Sequence, residues 1–566
     1  MEHYFIYLTI LLPIFGAAVT YIVKHSGVQK AVIAITQGAA IVMLVMLGRI
    51  LLTGEIRTDS EEVHLAVDWA VRLLNLGFCI AFIIMGIQLK KMSITLIALF
   101  QLVLLLLKET GMFGQLGTHN IFEVSWIHIV VLLIGMLFMA VGMFVMAEKN
   151  AKAVPMLFLM TSAFCGILFT DNVIWLFAGF QMMIFAGFLV WKKEARNKQE
   201  TLLAVRNFRV KLCGTGVLAF AAMTLMLGIE DVSLTAIADA EQTQTLALTV
   251  GMFVLVMFMN AGLFPLLSLD ASSGDSNRGD ASSGELSSGD ASSGESSENA
   301  DEEKSAAEDE SYTLRHTPRN TPRYKSGKSR KQSEQEREMS RVILRMLILV
   351  ISSMASLFVL FRVTDFFNHP IQSRAAAAAG IVLFCGCSFL SVVIGGMKKS
   401  GYYSLAATIA ALFCVAILAK GQLHWNGLIL VAYLVMKAFL FYFMRSDKKQ
   451  STRRLQTSIA MKGIVGVILC VFVNIFLIKL FAASPFFYIF VIPGCMFDML
   501  HMINFAASAF EGKTPNEKHS VTENKESPAT FIGLDIFAKR DNENIYLHAI
   551  NISAFAFIAI MLGIFI

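Results

Sequence analysis

The chain alternates long apolar runs with short polar loops over almost its whole length. A run of about 18 or more apolar residues can cross the hydrocarbon core of a membrane as a helix. Such runs predict about sixteen spans. Their centres lie near residues 13, 41, 79, 100, 136, 161, 181, 218, 256, 352, 385, 411, 435, 469, 498 and 554. The pattern predicts an all-α, polytopic membrane bundle.

Composition supports this class and excludes others. The 566 residues are 56% hydrophobic and 16% charged, with a mean hydropathy of +0.64, which is too apolar for a soluble domain. The net charge of +5 lies mostly in loops and gives no sign of a nucleic-acid partner. The eight cysteines form no CxxC pair, so we expect neither a disulfide framework nor a zinc or iron–sulfur site. With no Gly-rich phosphate loop and no pair of haem ligands, we expect no cofactor.

Charge in the loops predicts the topology. Loops after odd-numbered spans are basic, as at Lys24 to Lys30, Lys192 to Arg206 and Arg445 to Arg454. Loops after even-numbered spans are acidic or nearly neutral, as in EIRTDSEEVHLAVD. Since basic loops stay in the cytoplasm, we expect both termini on the outer face of a bacterial or archaeal cell membrane. The first apolar run lacks a basic n-region and a small-residue cleavage site, so we interpret it as a retained span.

Residues 270–341 differ from the rest of the chain. DASSG recurs at residues 270, 280 and 290, apolar residues are almost absent, and a basic stretch, TPRNTPRYKSGKSRK, follows the acidic first half. Such a segment cannot bury enough surface to offset its chain entropy, so we expect a disordered insert on the cytoplasmic side. A solvated linker and a site for anionic lipid are the two interpretations of this insert.

Lys437 is the most informative single residue, because it lies inside the apolar run LILVAYLVMKAFLFYFM. A charge at bilayer depth costs roughly 3 kcal/mol, so such residues usually serve ion or proton movement. The alternative is a lysine that snorkels to an interface, but several apolar residues flank Lys437 on both sides.

The order of polar residues along the spans resembles a known family. FTDNVIWLFAGFQMMIFAGFLVW is followed by RNFRVKLCGTGVLAF and MFMNAGLFPLLSLDAS, and later by GGMKKSGYYSLAAT, LVMKAFLFYFMRS, VNIFLIKLFAAS and INFAASAFEGK. These segments, within residues 124–540, resemble the antiporter-like large membrane subunits of respiratory complex I (NADH-quinone oxidoreductase chain 5/L type), Mrp cation antiporters and energy-converting hydrogenases.

The resemblance implies two inverted repeats with broken helices, each holding half of an ion channel. It divides the chain into N-terminal helices (1–123), a first repeat (124–269), the insert (270–341), a second repeat (342–484) and C-terminal helices (485–566).

The first repeat departs from the family pattern. Gln181 stands at the position of the family glutamate, and Asn260 at that of its partner lysine. Neither side chain titrates near neutral pH. Arg209 matches the family arginine and is placed on the candidate proton path, but Leu212 replaces the acidic residue that usually follows. We therefore expect a partly degenerate subunit.

The second repeat retains more of the pattern. Lys437 matches the family lysine and Lys479 the lysine of the late span, whereas Ile429 and Tyr433 stand where the family has histidines. Lys437 and Lys479 are thus the candidate proton carriers.

Asp498 and His501 are three residues apart, so they share one helix face and could extend a polar path. A helix–helix hydrogen-bond cluster is the alternative interpretation. Asp171 and Asn172 are predicted to cap the helix that carries Gln181, and Arg362 with Asp365 to form an interfacial ion pair.

Two functions remain open. The first is a proton- or cation-translocating subunit, without redox chemistry of its own, in a redox-linked or antiporter complex with other membrane and peripheral subunits. The second is a non-conducting membrane scaffold, for example in an inorganic-carbon uptake complex with a soluble metalloprotein. Retained lysines favour the first function, and the missing first-repeat pair favours the second.

Overall fold

The computed structural model describes residues 2–53, 61–110, 122–195, 198–228, 233–239, 327–363, 370–393, 397–418, 453–480 and 485–510, with single positions in 249–261 and 433–438. Its helices are α1 (Glu2–Ile22), α2 (Ser26–Thr53), α3 (Glu61–Gln88), α4 (Met92–Glu109), α5 (Trp126–Lys149), α6 (Val154–Phe169), α7 (Val173–Glu194), α8 (Lys198–Gly228), α9 (Leu234–Asp239), α10 (Gly327–Arg362), α11 (Pro370–Val393), α12 (Met397–Leu418), α13 (Arg453–Leu480) and α14 (Pro485–Phe510).

These helices confirm the all-α, multi-pass membrane class. Among the described residues, nine helices are long and apolar enough to span a membrane, and four shorter apolar helices accompany them. Predicted spans near residues 256 and 435 are described only in part, and the one near 554 lies outside the described residues. Every other predicted span coincides with a helix. The inverted repeats remain a prediction, and Pro265, at the predicted helix break, lies outside the described residues.

Helix α10 is the centre of the packing. It contacts α5, α6 and α7 on one side and α12 on the other, and 94% of its apolar span is buried. Around it, α1 packs on α2 and α6, and α7 packs on α8, while α14 packs on α11 and α13. The hairpin α3–α4 lies at the edge and turns through Lys90, whose φ of 53° is left-handed. A side chain at Gly86 would collide with Thr95 there, so glycine permits the close approach of α3 and α4.

Contacts between the basic loops support the prediction that these loops lie on the same side of the bundle. Gln29 lies in the first turn of α2. Its side-chain Nε2 donates a 3.2 Å hydrogen bond to the backbone carbonyl of Ala151, between α5 and α6. Lys30 pairs with Glu148 near the same loops. Glu200 of α8 lies 3.7 Å from the guanidinium of Arg341 in α10. These contacts group basic loops on one face, which we call the basic face.

The opposite face gathers the loops that follow even-numbered spans. Arg362, at the end of α10, pairs with Glu123 before α5 and with Asp171 between α6 and α7. The predicted partner, Asp365, lies outside the described residues. Which face is cytoplasmic remains a prediction.

The predicted insert needs one correction. Helix α10 begins at Gly327, so residues 327–341 are helical, and the expectation of disorder fails for them. The sequence KQSEQERE within this stretch consists mostly of good helix formers, which lets the buried span propagate outward as a helix. Residues 270–326 lie outside the described residues.

Candidate functional site

Lys437 and Asp498 form a buried ion pair. The Lys437 Nζ lies 2.5 Å from Asp498 Oδ1, and the two side chains are 0% and 2% exposed. Lys437 is helical, as are residues 433–435 and 438, and Asp498 lies in the middle of α14. Lys437 therefore does not snorkel to an interface. Instead, its ammonium contacts the carboxylate of Asp498, which the sequence analysis placed either on the candidate polar path or in a helix–helix hydrogen-bond cluster.

Further polar groups surround the Asp498 carboxylate. Ser404 Oγ of α12 donates a 3.2 Å hydrogen bond to Oδ1, and Tyr433 Oη donates a 3.1 Å hydrogen bond to Oδ2. Cys470 Sγ of α13 lies 3.5 Å from Oδ2. Because these donors come from α12, from α13 and from the segment that holds Tyr433 and Lys437, Asp498 is the point at which those elements meet α14.

The ammonium group of Lys437 has two acceptors besides Asp498. It donates hydrogen bonds of 3.0 Å to Thr408 Oγ1 and 3.3 Å to the Ser404 carbonyl. It also lies 5.1 Å from the centre of the Tyr433 ring, within the range of a cation–π contact. An ammonium with three acceptors can stay charged in an apolar interior. We call Lys437, Asp498, Ser404, Thr408 and Tyr433 the Lys437 cluster.

The sequence analysis missed the hydroxyl groups of this cluster. Ser404 and Thr408 are four residues apart on α12 and thus on one helix face, as are Tyr433 and Lys437. This four-residue spacing was the feature of the sequence that could have identified the hydroxyl groups. His501 is buried one turn after Asp498, with its ring stacked on Phe505 at 6.3 Å.

In the first half of the protein, Gln181 is wholly buried and joined to another amide. Its Nε2 donates a 3.2 Å hydrogen bond to Gln101 Oε1 of α4. Gln101 in turn donates to Thr215 Oγ1 at 3.0 Å and to the Leu212 carbonyl at 2.9 Å, both in α8. The glutamate position of the family is thus part of a neutral amide link between α4, α7 and α8.

Asn260 lies beside a lysine that the sequence analysis did not select. Ser352 Oγ of α10 donates a 2.6 Å hydrogen bond to the backbone carbonyl of Asn260. The same oxygen accepts a 3.1 Å hydrogen bond from Lys211 Nζ of α8. Arg209, two residues before Lys211, is exposed on the bundle surface. Lys479 is exposed as well, in the last turn of α13. Neither Arg209 nor Lys479 belongs to the Lys437 cluster.

The loops opposite the basic face hold a third polar group. Asn172 Oδ1 accepts a 2.8 Å hydrogen bond from the Ile174 amide, which confirms Asn172 as the cap of α7. Asp171 does not cap α7; it accepts a 2.7 Å hydrogen bond from Thr235 Oγ1 and pairs with Arg362 at 2.5 Å. Burial raises the pKa of the Asp171 carboxyl, and the Arg362 guanidinium opposes that shift. No cluster of three or more candidate metal ligands occurs among the described residues.

Comparisons with known proteins give matches to the structure of this chain but none to its sequence. No protein-family profile and no curated protein matches the sequence. A chain of an archaeal respiratory membrane complex, the membrane-bound sulfane sulfur reductase, superposes with a TM-score of 0.57 at 12% identity, over 88% of this chain and 69% of that one. A chain of the Mrp complex from Dietzia sp. DQ12-45-1b gives a TM-score of 0.48 at 10% identity, over 83% of this chain and 86% of that one. The first likeness shows a shared fold.

Proposed function

We propose that this protein is a cation-translocating membrane subunit of a larger membrane complex and that the Lys437–Asp498 pair carries the ion through its second half. The fold shared with a chain of a respiratory membrane complex supports the assignment to an assembly. The single observation that carries the translocation role is the buried ion pair. Intramembrane ion pairs that face the interior of a bundle typically mark ion and proton pathways.

The pair can move a proton in three balanced steps. A proton entering from one side binds Asp498 Oδ2 and neutralises the carboxylate. Lys437 then loses its counter-ion and releases one proton toward the other side, which leaves a neutral amine held by Thr408 and Ser404. Finally, the Asp498 proton moves to the amine and restores the ion pair. One proton has entered and one has left.

A non-conducting scaffold is the second candidate function. The complete hydrogen bonding of Asp498 favours it, because the pair could simply hold α12, α13 and α14 together. The neutral Gln101–Gln181 link in the first half favours it as well.

Water at the ion pair distinguishes the two functions. Cys470 is a native reporter, since its thiol lies 3.5 Å from Asp498. Infrared spectra of the complex in D₂O can follow loss of its S–H stretch, assigned with Cys470→Ala. Cys165 of α6, fully buried in the apolar core, is the matched dry control, assigned with Cys165→Ala. Translocation predicts much faster exchange at Cys470 than at Cys165. Equal, slow exchange at both thiols would leave the scaffold as the better account.

A further inference from the structure

Lys211 is buried about halfway along the apolar span of α8. Among the described residues, it and Lys437 are the only buried lysines, and Lys211 is 8% exposed. From Glu200, where the apolar span of α8 begins, to Lys211 the helix rises by roughly 16 Å, about half of the hydrocarbon thickness. A charge at this depth is costly and therefore needs either an acidic partner or water.

Ser352 is the one hydrogen-bond partner of Lys211 among the described residues. The Ser352 hydroxyl gives its hydrogen to the Asn260 carbonyl at 2.6 Å, so its oxygen must accept from Lys211 Nζ at 3.1 Å. An ammonium group has three hydrogens to donate, and one acceptor leaves two of them unsatisfied. None of the described ion pairs involves Lys211. Within the described part of the chain, no acid supplies the two remaining acceptors.

A small cavity beside Lys211 can supply them. Its volume is about 20 Å³, enough for about one water molecule, and the lining residues with polar side-chain atoms are Lys211, Asn207 and Trp191. Asn207 Oδ1 lacks a hydrogen-bond partner among the described residues. A water in the cavity would accept from Lys211 and donate to Asn207, one turn earlier on α8. Two polar groups on one cavity are what retains a water in an otherwise apolar site.

The cavity lies toward the basic face. Its lining includes Trp191, near the end of α7, and Ala204, near the start of α8, and both of these helix ends belong to that face. Arg345 of α10 lies 5.8 Å from the centre of the Trp191 ring and 3.9 Å from Glu200. A line of polar groups therefore leads from the surface at Glu200 past Trp191 to Lys211.

Other titratable groups lie on α8 itself and on the helices packed around it. On α8 they are Lys198, Glu200, Arg206, the exposed Arg209 and Cys213, and on α7 they are Lys192, Lys193 and Glu194 in the last turn. Helix α6 contributes only the buried thiol of Cys165, and α10 contributes Arg341 and Arg345 near the basic face.

We propose that Lys211, and neither Gln181 nor Asn260, is the ion-carrying residue of the first half, reached by water from the basic face. This inference rests on the proposed function. Lys211 alternates between an ammonium, which donates to Ser352 and to water, and a neutral amine after its proton passes to that water. That water leaves as hydronium, and a second hydronium that arrives later returns a proton to the amine, so one proton is released and one is taken up in each cycle.

Ion flux in vesicles that contain the complete complex tests the inference. Lys211→Gln should lower flux by about tenfold or more, because glutamine cannot exchange a proton. Arg209→Gln is the matched control: it removes the same charge from the exposed side of the same helix and should leave flux nearly unchanged. Equal flux in wild type and Lys211→Gln would overturn the inference, as would an equal loss in both variants.

Relocating the charge separates ion carriage from a structural role. The Asn260 side chain faces α8 at Gly214, three residues after Lys211, so a lysine at position 260 would reach the same region. The double variant Lys211→Asn with Asn260→Lys should recover flux that Lys211→Asn alone lacks. Absence of recovery in a properly assembled complex would contradict ion carriage.

Access is measured without flux. Lys211→Cys, treated with a small water-soluble methanethiosulfonate, should react from the basic face only. Lack of reaction, or reaction from the opposite face only, would overturn the hydrated route. Loss of flux in Lys437→Met together with normal flux in Lys211→Gln would refute this inference alone. Absence of flux in the wild-type complex would refute the proposed function as well.

Discussion

Arg362 at the end of α10 lies 2.5 Å from the carboxylate of Asp171, which precedes α7. The two side chains are 8% and 4% exposed, so each charge is largely removed from water. This pair, 191 residues apart in sequence, fixes the central helix to the first half of the protein.

Removing Arg362 should destabilise the bundle. Arg362→Ala leaves the Asp171 charge buried without its partner, which typically costs about 3–5 kcal/mol. Thermal unfolding of the purified protein in detergent should show a clear decrease in Tm. Arg49→Ala is the control, since Arg49 is exposed on α2 and its loss should change stability by less than about 0.5 kcal/mol. Equal Tm values for the two variants would refute a structural role of the pair.

Single cysteines should react according to the grouping of the loops. Lys152→Cys and Lys193→Cys lie on the basic face. Thr110→Cys directly follows the last residue of α4, on the opposite face. All three positions are exposed. A membrane-impermeant thiol reagent should label the first two from one side and the third from the other, with the basic face in the cytoplasm. Native cysteines are buried or half-buried and give a low background. Labelling of all three from one side would contradict the topology.

The amide link between Gln101 and Gln181 should be structural. Gln181→Leu alone leaves the Gln101 oxygen buried without a donor, at a cost of about 1–3 kcal/mol. The double variant Gln101→Leu with Gln181→Leu should cost less than the sum of the singles, because no amide is left unpaired between them. A double-mutant cycle on unfolding free energy measures this, and additive costs would show that the link contributes nothing.

Changing Gln181 to glutamate should leave flux unaltered. The described hydrogen-bond partners at this position, Gln101 and the Cys79 thiol, are neutral, so a carboxyl should stay protonated and donate to Gln101 as the amide does. A rise in vesicle ion flux for Gln181→Glu would show that the first half needs only its acid restored.

Apolar runs predicted the spans, and the charges of the loops predicted how the loops are grouped. Both signals could be used because each is a local property of the chain. Contacts between spans are not local. Lys437 and Asp498 are 61 residues apart, and no periodicity relates them, so the ion pair could not be predicted although both residues were selected.

Arg209 and Lys211 are two residues apart but occupy different environments in the structure. Matching the family pattern selected Arg209, but residues two apart on a helix point to different sides. Ala204, Phe208, Lys211 and Thr215 recur at helical spacing and are buried, whereas Arg206 and Arg209 are exposed. The apolar periodicity around Lys211 was therefore the signal that could have identified the buried cation.

Ion flux through vesicles that contain the complex with Lys437→Met is the most direct test of translocation by the second half. Methionine keeps the approximate volume and removes the charge, so flux should be abolished while the complex stays assembled. Lys437→Met with Asp498→Asn removes both charges, avoids an unpaired buried acid and should also lack flux. Lys479→Met, at the exposed lysine of α13, should retain it. Wild-type flux in Lys437→Met and in the double variant would contradict the account and leave this protein as a scaffold.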